Sequence, residues 1–198
     1  MSDPATSDSA NAPESHPASA IEAVLSTSKG QMVLTFFPDQ APRHVENFLQ
    51  LAQQGFYDGL TFHRVMRNYV VQAGCPNTRA GASGQPGTGG PGHRLPAEFN
   101  DIPHKRGVVS MARQRDPNSA GSQFFIVLAD HSSHLDRQYT VFAQVEEGLD
   151  VLDEIGAVDC DFGPTGERSV PRQRVEIRRI DLRPRQQRTP VAEAEQQS

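Results

Sequence analysis

The sequence predicts a mainly β domain, a closed or nearly closed antiparallel barrel with two helices. Three observations carry that expectation: many short segments have strand patterning, only two have helical spacing, and long Gly- and Pro-rich loops separate them. The length of 198 residues suits one domain with appendages and is enough to bury a real core.

Taken in order, residues 1–20 are Ser, Ala, Pro and Asp with almost no apolar content and read as a disordered N-terminal tail. In "IEAVLSTSKGQMVLTFFP", Ile21, Ala23 and Leu25 alternate with polar or smaller neighbours, and Ser28-Lys29-Gly30 supplies a hairpin turn. "PDQAPRHVENFLQLAQQGFYDG" carries Val45, Phe48, Leu49 and Ala52 at helical spacing, with Pro42 in the first turn and Gly55 at the C-cap. "LTFHRV", "YVVQAG", "GVVSMA", "SQFFIVLA", "YTVFAQV" and "RVEIRRIDL" read as strands, and a shorter helix fits "GLDVLDEIGAV" from Leu149. Residues 183–198 read as a second disordered tail, so the domain spans 21–182, without internal repeats.

Several function classes are disfavoured. The net charge of −5 and scattered basic residues, apart from a cluster between Arg172 and Arg188, argue against a nucleic-acid surface. No stretch is long and apolar enough to span a membrane, and the first residues lack the charged and apolar regions of a secretory signal, so a cytoplasmic location is expected. Cys75 and Cys160 make no disulfide framework and read as reduced packing residues. "GTGGPG" formally matches G-x-G-x-x-G, but no strand leads into it and no helix follows. His131 and His134 lack a third ligand at a suitable spacing, and Ser122 lacks a G-x-S-x-G elbow. No carboxylate pair stands out, and neither a metal nor a cofactor is expected.

What remains is a polar minority inside apolar strands. Arg64 should share a row with Leu60, Phe62 and Met66, Gln72 shares the face of Val70, and Gln123 stands two residues before Phe125. Singly, each has a bland reading: a paired or edge-strand Arg, or a Gln satisfied by a neighbouring loop backbone.

Together, "FHRVMRNYVVQAG", "GTGG", "AEFND", "GVVSMA", "DPNSAGSQFFI" and "LDRQYTVFAQVEEGLDVLDEI" come in an order and spacing that resembles the cyclophilins, the peptidyl-prolyl cis–trans isomerases. The likeness runs from about Ile21 to Leu182, with loops similar to those of compact bacterial members. It implies a closed eight-stranded antiparallel β-barrel capped by two α-helices, acting on X–Pro bonds of partly unfolded proteins to assist folding. The implied partners are proline-containing peptides and unfolded clients, met as a monomer without nucleic acid, membrane or cofactor. The alternative is a catalytically weak proline-peptide-binding module or chaperone using the same groove.

By the same resemblance, Arg64 matches the catalytic arginine, with its donors held out of water on the apolar row. Gln72 helps hold the substrate carbonyl and the Arg, and Phe125 forms the base of the proline pocket. Tyr69, Val70 and Leu135 are its walls. Gln123 and the backbone around Ala112 and Arg113 bind the residues before the proline. Tyr139 falls at the rim where many relatives carry His. His134 stands where many eukaryotic relatives carry Trp, which argues against strong cyclosporin binding. Four departures follow. Tyr69 replaces a usual Phe and brings a hydroxyl that needs a partner, and Val70 replaces a usual Met and shortens a wall. Asn68 lies in an altered turn where it tolerates a left-handed conformation, and Arg137 displaces a usual Gly. His63, beside Arg64, should face the opposite way as a packed structural histidine.

Overall fold

The computed structural model describes residues 16–130 and 132–186. Its strands are β1 (Ile21–Thr27), β2 (Gln31–Phe36), β3 (Arg64–Met66), β4 (Val70–Ala73), β5 (Val108–Met111), β6 (Phe124–Val127), β7 (Val141–Glu147), β8 (Cys160–Phe162), β9 (Arg168–Pro171) and β10 (Ile177–Pro184). The helices are α1 (Pro42–Gln53) and α2 (Leu149–Gly156). Eight strands form one antiparallel sheet in the order β10-β1-β2-β7-β5-β6-β4-β3, and β8 and β9 pair separately.

The sheet curls into a half-barrel. The expected closed barrel is not formed, because β10 and β3 end the ladder without pairing as strands. The reason lies in "LTFHRV", which is not one strand. Its first half meets the chain entering β10, through an isolated Thr61–Glu176 bridge and backbone bonds of 2.9 Å from Phe62 to Val175 and 2.8 Å from Ile177 to Leu60. Its second half turns to pair with β4. Leu60, Phe62 and Val65 are all buried in the core, so the alternation changes phase between Phe62 and Val65. Arg64 therefore leaves the row of Leu60 and Phe62 that simple period-two reading assigns to it.

The core is centred on Phe48 of α1, whose ring lies 5.1–5.7 Å from those of Phe36, Tyr57, Phe124 and Phe142. Each aromatic buried this fully contributes roughly 1.5–3 kcal/mol. Pro42 opens α1 as expected, and Gly55 follows its C-terminal end with φ +66°. The N-cap, Ala41, has no capping side chain. Glu98 replaces it from a distant loop, accepting from the backbone of Arg43 and His44 and from His44 Nδ1 at 3.2, 3.1 and 2.7 Å. Order also extends past both expected tail boundaries. Pro17–Ala20 form a 3-10 turn with Ala18 buried, and the Arg185 N–H donates to the Ala20 carbonyl at 2.7 Å.

Candidate active site

Cross-strand register places Arg64 opposite Gln72, Gln72 opposite Phe125, and Phe125 opposite Ser110, one row over β3, β4, β6 and β5. The adjacent row, Val65, Val71, Ile126 and Val109, points into the core. The first row therefore points away from the core, onto a second apolar cluster containing Val70, Val108, Phe125, Val127, Leu135 and Val141. Tyr69, Ala112 and Tyr139 flank that cluster.

Phe125 is buried at the floor, with Tyr139 edge-on at 5.2 Å and the His104 ring nearly parallel at 6.0 Å. His104 is fixed by three hydrogen bonds. Its backbone N–H and Nδ1 reach Asp136 Oδ1 at 2.7 and 2.9 Å, and Nε2 meets the Ser110 hydroxyl at 2.9 Å. A carboxylate only accepts, so Nδ1 carries the proton and Nε2 accepts from Ser110. Burial lowers the His104 pKa and keeps the ring neutral near pH 7, while the His104 backbone N–H is the main cause that lowers Asp136. Ser110 is fully buried, so this Ser–His–Asp arrangement braces the floor and offers no nucleophile. Sequence reasoning missed it.

Tyr69, Val70 and Leu135 lie together on this face. Val70 and Leu135 are buried, and the Tyr69 hydroxyl finds its partner in His134 Nε2 at 2.9 Å, with the two rings stacked 5.4 Å apart. Asn68 and Arg137 both adopt left-handed backbone, φ 59° and 58°. Arg113 packs its guanidinium over the Tyr139 ring at 4.8 Å and donates from Nε to the Gln138 carbonyl at 2.9 Å. The Ala112 N–H already donates to the Gln123 carbonyl at 2.9 Å, so it is not a donor for a peptide.

Two glutamines differ from expectation. Gln72 donates to Gln123 Oε1 at 3.0 Å and does not hold Arg64. Gln123 Nε2 in turn donates to the carbonyls of Gly87 and Gly89 at 2.9 and 2.8 Å, pinning the Gly-rich loop beside the groove. A cleft of about 390 Å³ opens between that loop, Ala112 and Gln123.

Arg64 is held instead by Glu167, in the turn joining β8 to β9. Nε donates to Oε1 at 2.6 Å and Nη2 to Oε2 at 3.0 Å, a side-on bidentate pair. The Arg64 side chain is 34 % exposed, so its donors are not withdrawn from water as expected. The hydrogen bond to Glu167 raises the Arg64 pKa, and Arg64 holds the Glu167 carboxyl below the usual range. A larger, mostly apolar cleft of about 620 Å³ lies beyond this pair, between Pro86 and the β8–β9 hairpin. His63 lines it with both ring nitrogens buried and unpartnered. Burial pushes its pKa down to about 4; the Thr61 backbone acts the other way, and the neighbouring Arg64 charge adds to the lowering. His131 lies outside the described residues, and among those described no group of three His, Cys, Asp or Glu side chains is placed to hold a metal ion.

Residues 23–182 match the family model described as cyclophilin type peptidyl-prolyl cis-trans isomerase/CLD. A peptidyl-prolyl cis-trans isomerase of Synechococcus elongatus is 48 % identical over 126 residues, covering 64 % of this chain and 81 % of that one. One from Helicobacter pylori is 47 % identical over 138 residues, covering 67 % and 78 %. Among solved structures, a Cryptosporidium parvum cyclophilin type peptidyl-prolyl cis-trans isomerase, determined in the presence of the dipeptide Ala-Pro, superposes with a TM-score of 0.73 at 25 % identity, covering 83 % of this chain and 99 % of that one.

Proposed function

The chain belongs to the cyclophilin-type peptidyl-prolyl cis–trans isomerases, and from that premise we infer that the Arg64–Gln72–Phe125 row is where it turns X–Pro bonds. Amide resonance sets a barrier of roughly 18–20 kcal/mol, and uncatalysed exchange takes about 10–100 s. No covalent step is needed. As the bond twists, the proline nitrogen loses conjugation and gains a lone pair, which a fixed donor stabilises.

The observation that carries this reading is the register itself. It sets an always-charged donor and an apolar floor on one outward row, two strand spacings or about 10 Å apart. A proline ring resting on Phe125 between Val70, Leu135 and Tyr139 lies within the sweep of Arg64, and the solved relative's Ala-Pro dipeptide supports a ligand of that chemistry. One preorganised donor supplies about 2.7–4 kcal/mol, against roughly 8 kcal/mol for a million-fold acceleration. Orientation of the peptide and desolvation of its amide supply the rest. The residues before the proline would run along the cleft by Ala112 and Gln123, using groups other than the committed Ala112 N–H.

Exchange spectroscopy on a short Ala-Pro peptide tests this. Wild type should accelerate exchange, Arg64→Ala should lose most of that while staying folded, and Arg64→Lys should recover little because it lacks the planar fork. Binding without acceleration by wild type would instead make the groove a proline-binding module.

A further inference from the structure

Resting on the isomerase reading, we propose that Glu167 is a positioning residue that sets the plane of the Arg64 guanidinium. Arg64 is a long side chain on the three-residue strand β3 and is one third exposed. Left alone, it would spread over many rotamers and have that freedom to lose on being aimed. Neither glutamine restrains it, because Gln72 is spent on Gln123 and Gln123 on the Gly-rich loop. Glu167 receives both hydrogen bonds that the guanidinium makes among the described residues.

The geometry of that pair matters more than its charge. Two contacts on the Nε–Nη2 edge fix the plane and the in-plane rotation together, which a single contact would not do. Of five N–H donors, two are used, and three remain for the amide. The backbone that carries this carboxylate is fixed by its own hairpin, where the Glu167 main-chain carbonyl accepts from the Gly163 N–H at 2.8 Å and the Gly166 N–H donates to the Gly163 carbonyl at 3.0 Å. β9 also packs directly against β3. A carboxylate beside the cation lowers the net charge of the site while keeping Arg64 protonated, so Glu167 acts through orientation and not by adding field. Its loss should therefore lower kcat and leave KM little changed.

The test measures kcat and KM for wild type, E167A and E167Q, together with the ¹⁵N signal of the Arg64 Nε–H group and circular dichroism of each variant. E167Q keeps the shape and one acceptor oxygen but breaks the bidentate pair, so the hairpin stays intact. E167A should lose about 10–100-fold in kcat, and E167Q an intermediate amount. Both should lose the sharp, exchange-protected Nε–H signal. Folded variants with wild-type kcat and an unchanged Nε–H signal would overturn this role alone, as would a rise in kcat. An inactive wild type would overturn the isomerase reading and this role with it.

Discussion

Two neighbouring rows cross the same four strands and do opposite work. Val65, Val71, Ile126 and Val109 face inward and are at most 1 % exposed, whereas Arg64, Gln72, Phe125 and Ser110 face out and mix a cation, an amide, a ring and a hydroxyl. Because strand side chains alternate, the dry row specifies the other: a one-residue slip would bury Arg64 in the core. The inward valines and isoleucine thus hold the outward row in register. A single residue along each strand separates the dry face from the polar one.

Substitutions in each row should break along that line. The largest effect belongs to the inward row, where Ile126→Ala should cost about 2–5 kcal/mol in urea unfolding while activity per folded molecule stays near wild type. A comparable loss of both would mean that the rows are not separable. On the outward row, Arg64→Ala should cost about 10²–10³-fold in kcat/KM with little change in unfolding midpoint. His63, at the change of phase between the rows, sharpens the comparison through pH. Its folded pKa of about 4 lies below the unfolded 6.5, so stability is intact above pH 6.5 and is lost as pH falls toward 4. The loss should be at most about 3 kcal/mol, with His44 and His104 shifting in the same direction, and His63→Gln should flatten the slope over that window. The smallest effect is expected at the rim. Tyr69→Phe removes the bond to His134 but keeps the ring, so it should cost under about 1 kcal/mol and leave catalysis nearly unchanged.

The two helices and the first hairpin were legible because each has an unbroken period and its own punctuation, as in Pro42 and Gly55 around Val45, Phe48 and Ala52. The family motifs singled out Arg64, Gln72 and Phe125 together, and register sets the three in one row. "LTFHRV" misled because period-two reading assumes one continuous strand, whereas this segment changes partner at His63. The short β8–β9 pair carried no strong alternation, only a Pro-Thr-Gly turn signal, and so went unread. Glu167 was beyond reach for a simpler reason. It lies 103 residues from Arg64, and no local pattern reports a contact across that distance.

The sheet order has a consequence for how the chain is made. β1 lies between β2 and β10, with Ile21 opposite Pro184, so β1 leaves the ribosome long before one of its two partners. About 150 residues separate the end of β1 from the start of β10, which at bacterial or eukaryotic elongation rates is roughly 10–30 s. Through that interval β1 presents one open edge, a template for mispairing with any other nascent strand. Arg64 and Phe125 emerge well before Glu167 and β10, so the pocket's parts are synthesised before the frame that aims them. A cyclophilin-type isomerase thus carries an unpaired strand edge through most of its own translation.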